Sequence, residues 1–293
     1  MKTNHFPPCA IGSVTAVVAS LALWTHPALA GNEASAAETA VRESKPVLGL
    51  GLVDKTHEAA SDEASKRFSL DVLPGVTKLV NEKLTERTRV DDFGSLLDPA
   101  KIRLKTEADV RVYFVGEGAA YANTLGFTTD GSGKYTSKTA ELIFPNASST
   151  VSTYDPKKEV KRTEKEPLLP GDFANLGSMR GGTALDFFLV ADGANGGKNV
   201  YSTQKSANAD GLNHVISFAY AMKDSPYLIL GFEDLFNGGD RDFNDLIFAV
   251  DIGSVNVAAL TATPEPATYA SMAAFLGLGW FLVRRRNAGT PAS

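Results

Sequence analysis

"GFEDLFNGGDRDFNDLIFAVDI", residues 231–252, decides how the chain is read. It gathers Glu233, Asp234, Asp240, Asp242 and Asp245 around a single basic residue, Arg241, and runs straight into an apolar stretch. Asp240, Asp242, Asn244, Leu246, Phe248 and Val250 share one parity. On one straight strand they would occupy one face, and a face cannot be both core and solvent. The backbone must therefore turn between Asn244 and Leu246. Residues 237–245 are predicted to be a loop, entered through the flexible "NGG" of 237–239, and residues 246–252 a buried strand.

The crowding of acids needs an explanation. Two carboxylates a few ångström apart repel by roughly 1 kcal/mol in water and several times that near a protein surface. Arg241, backbone N–H groups or a bound cation can relieve it. Asp240, Asp242 and Asn244 follow the D-x-D-x-N spacing of the first half of a calcium loop, where alternate oxygen side chains converge on one ion. An oxygen-only set without Cys or His suits Ca²⁺ rather than zinc. Asp245 stands where an EF-hand needs Gly, and a strand follows instead of a helix, so this is no EF-hand. The competing explanation is an Asx-rich turn whose carboxylates cap backbone N–H groups.

Working outward, "VRVYFV" (110–115), "ELIF" (141–144), "LDFFLV" (185–190), "NVYS" (199–202), "HVISFAYAM" (214–222), "YLILGF" (227–232) and "LIFAVDI" (246–252) read as strands. Clusters such as "TTDGSGK", "ADGANGGKN" and "NADGLN" separate them. Many short strands with Gly-rich turns predict a mainly β domain over 101–255, an antiparallel β-sandwich or jelly roll. Residues 31–100 are expected to be a flexible leader with one helix, Val76, Leu79, Val80 and Leu84 sharing its apolar face. The charged stretch 154–172 reads as a solvated loop and 256–263 as a linker. Asp130, Asp192 and Asp210 each precede Gly, as tight turns favour, and would join a cation site only if the fold brought them close. Glu117, between two glycines, reads as part of a bulge.

The two ends carry addresses rather than core. Residues 1–30 combine Lys2, the apolar 10–23 and the small-x-small "ALA" ending at Ala28 and Ala30, which predicts a secretory signal cleaved before Gly31. The only Cys, Cys9, would go with it, leaving no disulfides. At the other end stand Pro264, Glu265 and Pro266, then the uncharged 267–283, then Arg284, Arg285 and Arg286, with a short tail at 287–293. An apolar run of 17 residues is at the short limit for a membrane-spanning helix, and three arginines would hold its end in the cytoplasm.

Of the 29 basic and 34 acidic residues, these ends hold Lys2, the three arginines and Glu265, so the rest carries 25 against 33, a net charge of −8. That disfavours nucleic acid as a partner and suits divalent cations or neutral sugars. Of the four His, only His57 and His214 lie between the ends, and no G-x-S-x-G, HExxH or Walker A occurs. The chain is expected not to be an enzyme. The remaining route, a carboxylate pair for glycoside hydrolysis, needs one acid of raised pKa, whereas acids in a solvated loop stay ionised.

The tripartite tail, 264–286, resembles the PEP-CTERM sorting signal of Gram-negative bacteria. That resemblance implies recognition by an exosortase, a transient anchor in the inner membrane, and delivery to the cell surface or an extracellular polysaccharide matrix. "VRVYFVGEGAAYANTLGF" (110–127), "FANLGSMRGGTALDFFLVADGANGG" (173–197), "NADGLNHVISFAY" (208–220) and the acidic stretch resemble the exported bacterial domain of unknown function numbered 4114. This implies an extracellular β-rich module with a Ca²⁺ site on Glu233, Asp234, Asp240, Asp242, Asn244 and Asp245, and no established reaction. Two roles then compete: a calcium-stabilised structural protein of the envelope or matrix, and a calcium-assisted carbohydrate-binding module using Tyr121, Phe232, Phe236 and Phe243.

Overall fold

The strand that follows the acidic stretch, β9 (Leu246–Asp251), lies in the middle of the molecule's larger sheet. The computed structural model describes residues 47–84, 96–151 and 160–262. Within them the chain is mainly β. The other strands are β1 (Ala108–Gly116), β2 (Thr124–Thr128), β3 (Ala140–Phe144), β4 (Phe173–Met179), β5 (Asp186–Val190), β6 (Val200–Ser202), β7 (Val215–Ala219) and β8 (Tyr227–Phe232). They form a five-stranded sheet in the order β4-β1-β9-β8-β7 and a four-stranded sheet in the order β3-β2-β5-β6. Every strand pair is antiparallel.

The alternation of β9 shows how the layers are arranged. Leu246, Phe248 and Val250 join a buried cluster that also takes Leu125, Phe127, Ile143, Phe187 and Leu189 from the smaller sheet. Phe187 and Phe248 meet edge to face at 5.3 Å between ring centroids. Ile247 and Ala249 point the other way, into a second cluster with Phe68, Val72, Val76, Val80 and Leu84. Both faces of β9 are therefore dry.

This second cluster corrects the expected flexible leader. Helix α1 (Glu63–Arg67), a π-helical turn (Phe68–Val72) and α2 (Leu73–Lys83) run on from one another and cover the outer face of the five-stranded sheet. The helix starts on a capping box: Asp62 Oδ1 accepts from Ser65 N at 2.7 Å, and Asp62 N donates to Ser65 Oγ at 3.0 Å. The preceding segment closes the sheet edges. Val53 N donates to Leu142 O beside β3, and His57 pairs with Phe173 of β4. The sheet needs this cover because its outer face carries Tyr113, Phe218, Tyr227 and Ile229, which water would otherwise meet.

Three other expectations change. The end of the charged stretch, 167–172, is not solvated: Leu168 and Asp172 are fully buried, while 160–166 stay exposed or half-buried. Residues 254–261, placed across a linker, form α3 (Ser254–Thr261), whose Asn256 Oδ1 accepts from Lys105 N at 2.8 Å and Thr106 N at 2.9 Å. Strands β2 and β4 went unread because each mixes its glycine with Thr, Asn or Ser and lacks the unbroken apolar run that marks β8. In β2 that glycine has a packing reason: a Cβ on Gly126 would lie 2.3 Å from the Phe188 ring. Among the described residues no helix is long and apolar enough to cross a membrane. The signal segment with Ala28, Ala30 and Gly31, and the tail with Pro264, Glu265, Pro266 and Arg284 to Arg286, lie outside the described residues.

Candidate metal centre

The loop between β8 and β9 joins neighbouring antiparallel strands, so its ends are fixed. Phe232 pairs with Leu246, and Asp245 N donates to Phe232 O at 3.1 Å. Between them the backbone coils tightly. Asn237, Arg241 and Phe243 all have positive φ, as do Gly238 and Gly239. Left-handed residues so close together turn the chain back on itself, at a cost of order 1–3 kcal/mol for each non-glycine. Phe243 folds under the loop into the helix-side cluster. Asn244 Nδ2 donates to Leu84 O at the end of α2, and Gly118 N donates to Asn244 O after the bulge in β1. The irregularity in β1 falls between Phe114 and Gly116, just before Glu117, which lies past the strand end. The loop crosses β8 at Gly231, where a Cβ would lie 2.3 Å from Phe243 O. Gly231→Ala is expected to cost about 1–3 kcal/mol by overpacking. The loss would be read as a lower midpoint in urea unfolding; an unchanged midpoint would contradict this crossing.

The coiling gathers the carboxylates. Oxygens of Glu233, Asp234 and Asp245 lie within 4.8 Å of one another, and so do oxygens of Glu233, Asp240 and Asp242. Glu233 belongs to both groups. Glu233, Asp234 and Asp242 are buried, Asp245 is half-buried and Asp240 exposed. For Glu233, Asp234 and Asp245 the premise of ionised acids in a solvated loop is therefore corrected. Burial raises the Glu233 carboxyl, with repulsion from Asp240 and Asp242 adding to it. Burial likewise raises Asp234, with repulsion from Asp192, Asp240 and Asp242. Asp245 is raised by burial and then by Asp234 and Glu233.

Backbone donors satisfy part of the set. Arg241 N donates to Glu233 Oε2 at 3.0 Å, Asp234 N to Asp245 Oδ2 at 2.8 Å, and Asn244 N to Asp242 Oδ1 at 3.3 Å. Among the described residues no ion pair joins the Arg241 guanidinium to these acids. Of the ways to relieve the repulsion, backbone donors are thus used in part, and the Arg241 guanidinium is not used. The pocket is shaped tightly around Glu233: a Cβ on Gly239 would sit 2.0 Å from Glu233 Oε1. The set is all oxygen, which fits a hard divalent cation. Five of the six predicted ligands thus come together as carboxylates, while the Asn244 amide nitrogen serves the helix end.

Other residues frame the site. Asn123 Nδ2 donates to Asp234 Oδ2 at 2.7 Å, and Asn123 Oδ1 accepts from Asp192 N at 3.0 Å. Asp210 Oδ2 accepts from Asn237 N at 2.8 Å and meets His214 Nε2 at 2.9 Å; His214 Nδ1 lies 3.0 Å from Glu233 O. Asp192 and Asp210 therefore border the loop, whereas Asp130 caps its own turn through Ser132 N. Asn123 and His214 escaped sequence reasoning as contributors, since neither stands near the acidic stretch. Asp251, the twelfth residue of the calcium-loop count, sits at the opposite end of β9, paired with Arg111 and Tyr227. Of the candidate aromatics, Phe232 and Phe243 are buried, while Tyr121 and Phe236 are 42% and 55% exposed.

Residues 179–253 match the family described as Domain of unknown function (DUF4114). The match is about a quarter of the chain, and it takes in β5 to β9 with the whole carboxylate loop. It is shorter than the resemblance read over 101–252, since β1 to β3 lie outside it. No curated protein and no solved structure matches the chain.

Proposed function

We propose that this is an exported, non-enzymatic protein of the cell surface or extracellular matrix, whose β-sandwich is stabilised by calcium at the β8–β9 loop. The observation that carries the reading is the group of Glu233, Asp234 and Asp245 carboxylates, largely buried and joined in no ion pair among the described residues. An unpaired buried charge is costly, and a divalent cation removes that cost while locking the loop to its flanking strands. Export fits this chemistry, because calcium is plentiful outside the cytosol and modest affinity suffices there. A chain left without cysteine after signal removal gains from a metal what other secreted domains gain from disulfides.

The tail is the support for sorting. Pro264-Glu265-Pro266, the apolar 267–283 and Arg284 to Arg286 would hold the chain in the inner membrane until an exosortase cuts near the motif. Intact-mass measurement of the surface protein should then show loss of everything beyond about Pro266, whereas an uncut C-terminus means a simple anchor. For the cation, calorimetric titration with Ca²⁺ should show binding that Asp242→Ala weakens at least tenfold on the order of one charged ligand's worth. Equal affinity in the variant would remove Asp242 from the site.

A second reading is favoured by the exposure of Tyr121 and Phe236. Exposed aromatics near a cation can stack on a sugar ring, which would make the domain a calcium-assisted carbohydrate-binding module. Glycan-array binding that disappears on adding EGTA supports it; an array without signal leaves the structural role.

A further inference from the structure

Asp186 opens β5 without solvent exposure, and it stands outside the carboxylate loop. It pairs with Thr128 of β2 and shares a face with Phe188 and Val190, away from the core between the sheets. The connection between β2 and β3, residues 129–139, folds over this face. Its Tyr135 ring lies on Phe188 at 4.1 Å between centroids. Its Gly133 abuts the turn after β6, where a Cβ would lie 2.7 Å from Ala207 Cβ.

The hydrogen bonds around Asp186 all run one way. Tyr135 Oη donates to Ser202 Oγ, which also accepts from Gln204 N at 2.8 Å. With both lone pairs occupied, Ser202 Oγ gives its own hydrogen to Asp186 Oδ1 at 3.2 Å. Thr203 Oγ1, which accepts from Phe187 N at 3.1 Å, donates to the same oxygen. Asp186 Oδ2 is buried with no hydrogen-bond partner among the described residues. The charged groups on the surrounding elements are Asp130, Lys134 and Lys138 in the 129–139 connection, Glu141 on β3, and Lys198 and Lys205 on either side of β6. All are exposed, and among the described residues no ion pair reaches Asp186. Arg103, bridged to Ala184, donates to Gly182 O instead. A buried carboxylate oxygen with neither donor nor counter-ion costs far more than a neutral O–H in the same place, which costs about 1–3 kcal/mol. Burial accordingly raises this carboxyl, against the Thr203 and Ser202 hydroxyls and with the Asp130 charge.

We propose that Asp186 is a neutral carboxylic acid in the folded chain and, through Ser202, latches Tyr135 and the 129–139 connection onto β6. Oδ2 carries the proton, and Oδ1 is the acceptor that ends the chain of hydroxyls. The unfolded chain loses this proton at lower pH than the folded chain. The stability that the latch contributes is therefore present at low pH and is lost as pH rises through the folded value. Once ionised, the carboxylate needs water, and the connection that carries Tyr135 is what covers it. This fastening is separate from the calcium reading and stands or falls without it.

Carbon-13 NMR of the carboxyl groups in the full chain reads the proton directly, with the Asp186 signal assigned by its absence from Asp186→Asn. That carbon is expected to titrate above the ordinary aspartate value of about 3.9. Titration at or below that value, as a cation bound at Oδ2 would also give, overturns the proposal. Hydrogen exchange of residues 129–139, corrected for its intrinsic pH dependence, reads the latch. Opening should increase by up to about tenfold per pH unit through the Asp186 titration. Asp186→Asn keeps the shape but cannot ionise, so it should remove that dependence. Tyr135→Phe keeps the ring and loses the hydroxyl, so it should speed exchange in this segment at low pH. An unchanged pH dependence in Asp186→Asn, or unchanged exchange in Tyr135→Phe, contradicts the latch.

Discussion

Replacing Asp172 with alanine is expected to destabilise the protein by about 3–5 kcal/mol, the cost of breaking a buried ion pair by removing one partner. Asp172 is fully buried before β4 and takes both terminal nitrogens of the Arg162 guanidinium, Nη2 at 2.7 Å. It also accepts from Ala59 N at 3.0 Å and Leu169 N at 2.8 Å. One carboxylate thus ties the segment before α1 to the loop before β4. Alanine would leave Arg162, whose side chain is only 13% exposed, with only Glu58 at 3.7 Å and the Pro167 carbonyl at 3.0 Å, and would release two backbone donors. A melting temperature lower by about 10 °C is the expected reading for a domain of this size. The solvent-exposed pair Lys78–Glu82 on α2 offers the contrast, since breaking it should cost under about 0.5 kcal/mol. Equal effects from the two changes would contradict the placement of residues 47–84 as part of the folded unit.

The second large effect is a pH dependence that calcium reverses. Without a cation, Glu233, Asp234 and Asp245 hold their protons to higher pH in the folded chain than in the unfolded one, because burial and mutual repulsion disfavour their charged forms. The folded state then binds more protons than the unfolded state, so stability falls as pH rises from the unfolded value near 4 through the raised folded values. Each extra proton contributes a slope of about 1.4 kcal/mol per pH unit. Metal-free protein should therefore melt several degrees higher at pH 5.5 than at pH 7.5. With calcium present the sign turns, since the ion needs the carboxylates ionised. Asp186 and Asp251 are also raised by burial but stand outside the loop, so the difference between the two buffers isolates the site. Asp54, Asp62 and Asp210 are lowered and give the opposite slope, confined to pH below about 4. A calcium-independent pH profile would contradict the assignment of these acids.

The boundary between loop and strand at 245/246 was legible because parity left no other arrangement. The β-branched and aromatic runs likewise gave seven strands close to their places. What escaped has physical reasons. Phe68, Val72, Val76, Val80 and Leu84 recur every four residues, a spacing that drifts around a regular α-helix of 3.6 residues per turn. The π-helical turn at Phe68–Val72 carries extra residues per turn and takes up that drift, so the five line one buried face. A sequence scan tuned to the regular period saw only the latter part of the stripe. The burial of Glu233, Asp234 and Asp242 was hidden for another reason. A run of acids reads as solvated, and only the return of Phe243 beneath the loop and the crossing at Gly231 carry these side chains inside. The contributions of Asn123, Asp210 and His214 depend on strands meeting across the fold, which no local pattern records.

The central claim is that a cation answers the charge of the β8–β9 loop. It is tested most directly by the melting temperature at pH 7.5 in calcium and in EGTA. At free Ca²⁺ about a hundredfold above the dissociation constant, binding adds about 2.7 kcal/mol. That corresponds to a rise of about 5–10 °C, absent when Asp242→Ala is melted in the same buffers. A melting temperature unmoved by EGTA would contradict the account.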